Sequence, residues 1–576
     1  MAIRFPALSF DLGPYRNHFE SVYEDIAQAE TIRRIWRKDH TIWSKNPSSI
    51  ADRLGWLDCP HKMVPALDEL VDFTQDVQKA GLHSALLLGM GGSSLTANVF
   101  RSCFKITPAC LDLTVVDTAN PDTISALTQQ LDFEKTLFIV ATKSGSTVET
   151  RSLQKHFYQH ATKIIGPSEV GDHFVAITDP GSSLADLAVH LSFRRIFLND
   201  PNIGGRYSAL SFFGLLPAAL LGVDIRRLME GAAIMARHTA ESSKKQENLN
   251  SAAKLGAVMA EMSKIGRDKL TLYTSEGLAA FCPWVEQLVA ESTGKKGQGI
   301  LPVIGAPEMS LKKIITQPLD DRLFVFLRLN NDPAFDTAIS DLKQKRQPLI
   351  QLDLKNVYDL GAEFFRWEFA TAVAGALLNI NPFDQPNVEA AKVSARSLIA
   401  AYQKNGTLPE QTPDFEADGI SVFGLKSDPA TAINTFVTTN TNTAVKAKRS
   451  YIAIQAYLKE TTETDELLAR LQAAIAQKFE LAVTLGYGPR FLHSTGQLHK
   501  GDGGQGLFIQ LTADVKIDLP IPPAEAKVAV PVTFGVLFKA QASGDYSAMQ
   551  EAGRNVLRIH LSDDPNSSLK QLIESI

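Results

Sequence analysis

Cysteine is scarce in this chain: four residues in 576, at positions 59, 103, 110 and 282, with no C-x-x-C pair among them. So few thiols cannot staple a chain of this length, and the expected compartment is the reducing cytoplasm. Long apolar runs are missing too. The N-terminus, MAIRFPALSFDLG, lacks the apolar core of a secretory signal. The most apolar later stretch, SFFGLLPAALLGV, is broken by Pro217 and too short to span a bilayer. No membrane segment is expected. Nor is there an excess of positive charge: the formal net charge of -5 argues against general affinity for nucleic acid or anionic membranes. An anionic ligand would have to be held in one local basic pocket. The histidines are not spaced as a metal site, so no metal is expected.

What remains is an ordinary globular composition, 44% hydrophobic and 21% charged, in a chain long enough for three or four domains. Phe19, Val22, Tyr23, Ile26, Ala29, Ile32, Ile35 and Trp36 recur at helical spacing, which predicts an amphipathic helical arm over residues 1–55. From 56 to 225, the runs SALLLG, LTVVDT, TLFIVAT, HFVAITDP and RRIFLNDP alternate with helical segments. That alternation predicts an α/β fold with a doubly wound parallel sheet. A second such unit, over 226–405, is marked by KLTLYTSEG, RLFVFLRL and PLIQLDL and closes on the helix-like EFFRWEFATAVAGALLNI. The stretch QKNGTLPEQTPDFEADG reads as a linker or long exposed loop. Beyond it, YIAIQAYL, LAVTLGYG, GLFIQLT and FGVLFKA read as strands of a C-terminal α/β unit over 406–576.

Chemistry concentrates where strands end. After TLFIV comes ATKSGSTVET, with hydroxyls at Thr142, Ser144 and Thr147 and an ammonium at Lys143. Ser146 followed by Glu149 has the spacing of a capping box. A helix N-terminus offers free N–H groups to an anion, so the segment suits a phosphate, although on its own it also fits a plain helix cap. Upstream, LLLGMGGSSL brings Gly89, Gly91 and Gly92 before Ser93. A dinucleotide reading would recruit Asp117 as ribose partner, but Ser94 stands where the sixth-position glycine of G-x-G-x-x-G belongs. Both junctions fall at the same edge of one sheet, where open α/β folds bind ligands. TDPGSSLADL reads as a structural turn. In NIGGRYS, Gly204 and Gly205 let the Arg206 guanidinium approach a ligand. WVEQLVAESTGKKG carries Glu286 and Glu291, either of which, if buried, would suit a general base. NPFDQPNVEAAK sets Gln385 and Lys392 two helical turns apart, predicting one shared helical face.

The ordered segments G-x-G-G-S, T-K-S-G-S-T-x-E-T, G-G-R-Y-S, E-S-x-G-K and F-D-Q-x-x-V-E-x-x-K, from about residue 85 to 395, resemble the phosphoglucose isomerase family and its paired sugar-isomerase domains. The likeness is nearest to the isomerase half of bacterial transaldolase/phosphoglucose isomerase fusions, with no transaldolase barrel ahead of it. The resemblance implies a phosphate cradle of Gly92, Ser93, Thr142, Lys143, Ser144, Thr147 and Gln385, with Thr142 where serine is usual. It further implies an enediolate-stabilising Arg206, a base at Glu291 and a ring-opening lysine at Lys392. The family's catalytic histidine should lie between the E-S-x-G-K and F-D-Q segments, yet there is no histidine between His238 and His493. The C-terminal GYGPRFLHSTGQLHKGDGG resembles the family's histidine segment. With one residue fewer it aligns His493 with the catalytic position and His499 with the later one.

The resemblance therefore implies an aldose-ketose isomerase for glucose 6-phosphate and fructose 6-phosphate that needs no cofactor. An isomerase of mannose 6-phosphate or of a sulfonated hexose would keep the same segments. A non-catalytic sugar-phosphate sensor would have no reason to keep Glu291, Arg206 and Lys392 together. The sequence leaves the oligomeric state open between homodimer and monomer.

Overall fold

The computed structural model describes residues 6–105, 110–242, 250–305, 319–441, 450–523, 530–561 and 564–576. The first unit holds five strands: β2 (Ser84–Leu88), β3 (Asp112–Val116), β4 (Thr136–Ala141), β5 (Phe174–Thr178) and β6 (Arg195–Leu198). They pair in parallel in the order β3-β2-β4-β5-β6. The chain leaves β2 for one side and returns to the other, so the topological switch lies between β2 and β4. A crevice opens there beyond the strands' carboxyl ends. Both phosphate-type junctions, Gly89–Ser94 and Thr142–Thr147, follow those two strands.

The second sheet runs β1 (Ala7–Asp11), β10 (Leu349–Leu354), β9 (Arg322–Leu329), β7 (Lys269–Thr274) and β8 (Leu301–Ile304). Only β1 is antiparallel. The N-terminal segment is thus not helical throughout, since it first adds an edge strand to a distant sheet. Its helical part divides into Arg16–Gln28 and Thr31–Trp36 at Glu30, whose φ of 51° cannot continue a helix.

The third sheet is ordered β11 (Phe415–Ala417), β12 (Ile420–Phe423), β16 (Asn555–Leu561), β15 (Gly506–Ala513), β13 (Tyr451–Tyr457) and β14 (Ala482–Tyr487). Two sequence expectations fail here. The end of the supposed linker, from Phe415, forms the β11–β12 hairpin. The run FGVLFKA is not a strand but the start of helix Phe534–Glu551, capped by the Thr533 hydroxyl, which accepts from Val536 N. Phe534, Leu537 and Phe538 recur at helical spacing and pack into the core of the first sheet beside Phe491 and Tyr457. The C-terminal unit is therefore welded to the first one. No helix among the described residues is long and apolar enough to cross a membrane.

Candidate active site

A cavity of about 600 Å³ opens at the switch point, and Gly92, Ser93, Thr142, Lys143, Ser144, Thr147, Arg206, Glu291, Gln385, Lys392 and His493 all line it. Glycine packing brings the first loops together. A Cβ at Gly92 would fall 2.1 Å from the carbonyl oxygen of Gly205, so only glycine there lets the loop after β2 lie against the loop carrying Arg206. At Gly91, with φ of 56°, a Cβ would come 2.8 Å from both Gln287 Nε2 and the His493 carbonyl oxygen.

Arg206 lies in the single turn Gly205–Tyr207, ahead of helix Phe212–Leu220, and is buried. Its Nε donates to Ser292 Oγ at 2.8 Å, Nη1 to Gln385 Oε1 at 3.0 Å, and Nη2 to the carbonyls of Pro382 at 2.7 Å and Asp384 at 2.9 Å. Nη1 also lies 3.3 Å from Glu291 Oε1. Every donor edge is fixed, so the guanidinium is held rigidly over the carboxylate. Glu291 sits on helix Phe281–Thr293, 9% exposed, and its Oε2 accepts from Gln287 Nε2 at 3.2 Å. Gln287 also donates to the His493 carbonyl at 2.7 Å. Glu286, five positions and about 140° around the same helix, does not line the cavity; burial pushes its carboxyl up to about 8. Lys295 Nζ donates to the Asn381 and Asp384 carbonyls and to Asp384 Oδ1, between 2.6 and 2.8 Å, anchoring the loop that holds Gln385. Burial, and then the neighbouring Arg206 charge, push that ammonium down to about 7.

The segment after β4 departs from its expected local pattern. There is no capping box: helix Val148–Ile165 has Thr147 as its cap residue without a side-chain bond, and the Ser146 hydroxyl pairs with Ser144 Oγ at 2.9 Å. Glu149, 2% exposed, turns instead to the C-terminal unit, where its Oε1 meets His493 Nε2 at 2.9 Å and accepts from Gln541 Nε2 at 2.6 Å. Burial alone would raise the Glu149 carboxyl. The charge of His493 and the bonds from His493 and Gln541 outweigh it and hold Glu149 down at about 2. Thr142 and Thr147 share a hydroxyl contact of 3.0 Å at the cavity wall. The Lys143 ammonium is committed to Asp179 and to the Pro201 carbonyl. Asp179 comes from TDPGSSLADL, so that turn is part of the cavity wall rather than merely structural.

Three other expectations need correction. Gln385 and Lys392 do not share a helical face: Gln385 precedes a short turn at Pro386–Val388 with φ of −147°, and the helix begins at Glu389. Both reach the cavity all the same. His499 does not reach it. The imidazole is buried against Phe508 and Phe491, Nδ1 faces Gln455 Nε2 at 3.2 Å, and burial pushes its pKa well below the usual range. Asp117 is no free ribose partner. It is buried, bound by Arg490 at 2.7 Å and by the Ser94 hydroxyl at 3.3 Å, and serves as a clasp between the first and C-terminal units.

Sequence reasoning passed over Glu149, Gln287, Lys295, Asp179 and Gln541. For Gln287 the signal was present, one helical turn before Glu291. For Glu149 and Gln541 it was not, because their partners lie 344 and 392 residues away.

Residues 67–299 match the family model described as phosphoglucose isomerase. A glucose-6-phosphate isomerase of Prochlorococcus marinus is 28% identical over 423 residues, covering 66% of this chain and 78% of its own. One of Mycoplasmopsis pulmonis is 28% identical over 389 residues, covering 60% and 90%. Among solved structures, a hypothetical protein from Thermus thermophilus superposes with a TM-score of 0.59 at 24% identity, over 68% of this chain and all of that one. A glucose-6-phosphate isomerase from Chlamydia trachomatis gives 0.57 at 18% identity, over 70% and 90%. Those two likenesses speak to the fold alone.

Proposed function

We propose, because the chain belongs to the phosphoglucose isomerase family, that it interconverts glucose 6-phosphate and fructose 6-phosphate through an enediolate. The observation that carries this reading is the convergence of Glu291, Arg206, Lys392 and His493 on one cavity with the hydroxyls of Ser93, Thr142, Ser144 and Thr147. The hydroxyls hold the phosphate. Lys392 and the His493–Glu149 pair open the ring: as the bond from the anomeric carbon to the ring oxygen breaks, the imidazolium, stabilised by the Glu149 carboxylate, gives its proton to the ring oxygen, and the anomeric hydroxyl releases its own to solvent as it becomes the carbonyl. Glu291 then carries a proton between carbon two and carbon one. Arg206, 3.3 Å from that carboxylate, stabilises the negative oxygen of the enediolate between them.

His493 acts within its own chain, a reading supported by its 2.9 Å contact with Glu149 of the same chain. A monomer is then competent, whether or not it dimerises. The division at 55, 225 and 405 is supported by one sheet centred in each of the last three units. The buried thiols of Cys59, Cys103 and Cys282 support a reducing cytoplasm. The reading is tested by isomerisation rates across glucose, fructose and mannose 6-phosphates and a sulfonated hexose. Glucose and fructose 6-phosphates should be fastest, and no turnover of either would reject it.

The cradle has its own test. Thr147→Ala should weaken binding of 6-phosphogluconate about 10- to 150-fold, the weight of one hydrogen bond to a charged phosphate. Calorimetric titration showing unchanged affinity in a Ser144/Thr147 double alanine variant would remove these hydroxyls from the cradle.

A further inference from the structure

The helix Phe534–Glu551 lies in the C-terminal unit, beyond every segment that carries the family resemblance, yet it hydrogen-bonds Glu149 and packs against the helix that carries Lys392. Gln541 Nε2 donates to Glu149 Oε1 at 2.6 Å, and the same oxygen faces His493 Nε2 at 2.9 Å. Gln541 is 5% exposed and its own Oε1 has no partner among the described residues. One turn further on, Gly544 packs against the helix that carries Lys392. A Cβ there would fall 2.7 Å from Ala395 N and 3.1 Å from the Ala391 carbonyl. Asp545 beside it is locked in a buried pair with Lys500. The helix is therefore clamped at one end of its contact surface while Gln541 reaches out to the carboxylate.

We infer that Gln541 is a positioning residue for ring opening: it fixes the rotamer of Glu149, so that the carboxylate meets the His493 imidazole from one direction only. An amide is suited to this task. Its donor edge binds the carboxylate, and a flipped amide would oppose two acceptors across a dry contact, which is unfavourable without a compensating donor. The inference rests on the isomerase reading for its catalytic meaning, while the contact itself can be tested without turnover. The titratable groups facing Glu149 are His493 from the turn Arg490–His493 and the buried Tyr457 phenol from β13.

The test uses Gln541→Met, which removes the donor at similar volume, and Gln541→Glu, which sets a second carboxylate against the first. The Glu149 carboxyl is held low in the folded protein. Losing a donor raises it, and a facing carboxylate raises it further, because two close carboxylates share a proton. The acid limb of the turnover profile should therefore move to higher pH in Met and further in Glu. At neutral pH, turnover of the cyclic sugar should fall about tenfold or more in Met, with KM within about twofold and an open-chain analogue less affected. Thermal unfolding across acid pH reads the same contact independently. The stability due to a depressed carboxyl is complete above its unfolded value and is lost as pH falls through its folded value. In Gln541→Met the folded value moves toward the unfolded one, so the loss should be smaller and complete at a higher pH than in the wild type. If the unfolding profiles coincide, Gln541 does not position Glu149, whatever the enzyme's substrate. If unfolding shifts but the turnover limb does not, the contact is structural and the inference is overturned. Failure of both variants to fold would likewise assign Gln541 to stability alone.

Discussion

Glu291→Gln is expected to lower turnover of fructose 6-phosphate by about two to four orders of magnitude, the usual weight of a positioned proton acceptor, while leaving sugar-phosphate binding nearly intact. The substitution is isosteric, and the amide oxygen can still face Arg206 at the 3.3 Å position now held by Oε1. The carbon-bound proton then has no acceptor, and the only other change is that the amide nitrogen replaces the oxygen that accepts from Gln287. Parallel loss in kcat and kcat/KM, with unchanged affinity for 6-phosphogluconate, is the expected pattern. Near-normal turnover would remove Glu291 from the role of base. Glu286→Gln serves as the control and should change turnover little, since that side chain lies off the cavity.

His493→Ala should abolish most turnover of the cyclic sugar, by about a hundredfold or more, and should be milder on an open-chain analogue that needs no ring opening. The imidazole faces a buried carboxylate held at about 2, so removing it leaves Glu149 with Gln541 as its remaining side-chain donor among the described residues. Some loss of stability should accompany the loss of rate. Equal losses on cyclic and open-chain substrates would contradict a ring-opening role. His499→Ala, in a buried aromatic setting away from the cavity, should affect stability before rate.

The parallel sheet and its ligand-bearing edge were legible in the sequence because apolar runs of strand length, each closed by a polar turn, report a buried strand directly. The loops bearing Ser93, Thr142–Thr147 and Arg206 were legible for a related reason, since strand ends and glycine pairs constrain the backbone locally. The run FGVLFKA misled because a short apolar stretch does not separate strand from helix; the Thr533 cap decides it. Ser146 and Glu149 misled more instructively. Capping-box spacing fits the local pattern, but a half-buried histidine and a buried glutamine from the far end of the chain claim the carboxylate, and a charge-assisted contact to a buried carboxylate outweighs a solvated cap. The placement of His493 at the cavity, and of His499 away from it, depends on how the C-terminal unit docks on the first one through Arg490 and Asp117. No local pattern encodes that docking.

The central claim is that one chain carries the whole site, with the histidine supplied by its own C-terminal unit. Co-expression of Glu291→Gln and His493→Ala chains, followed by assay of the mixed population on fructose 6-phosphate, tests it most directly. If the histidine serves its own chain, neither variant can complete the other and the mixture should stay as inactive as its components. Recovery of a substantial fraction of wild-type turnover would mean that His493 crosses to a partner subunit, and would contradict the account.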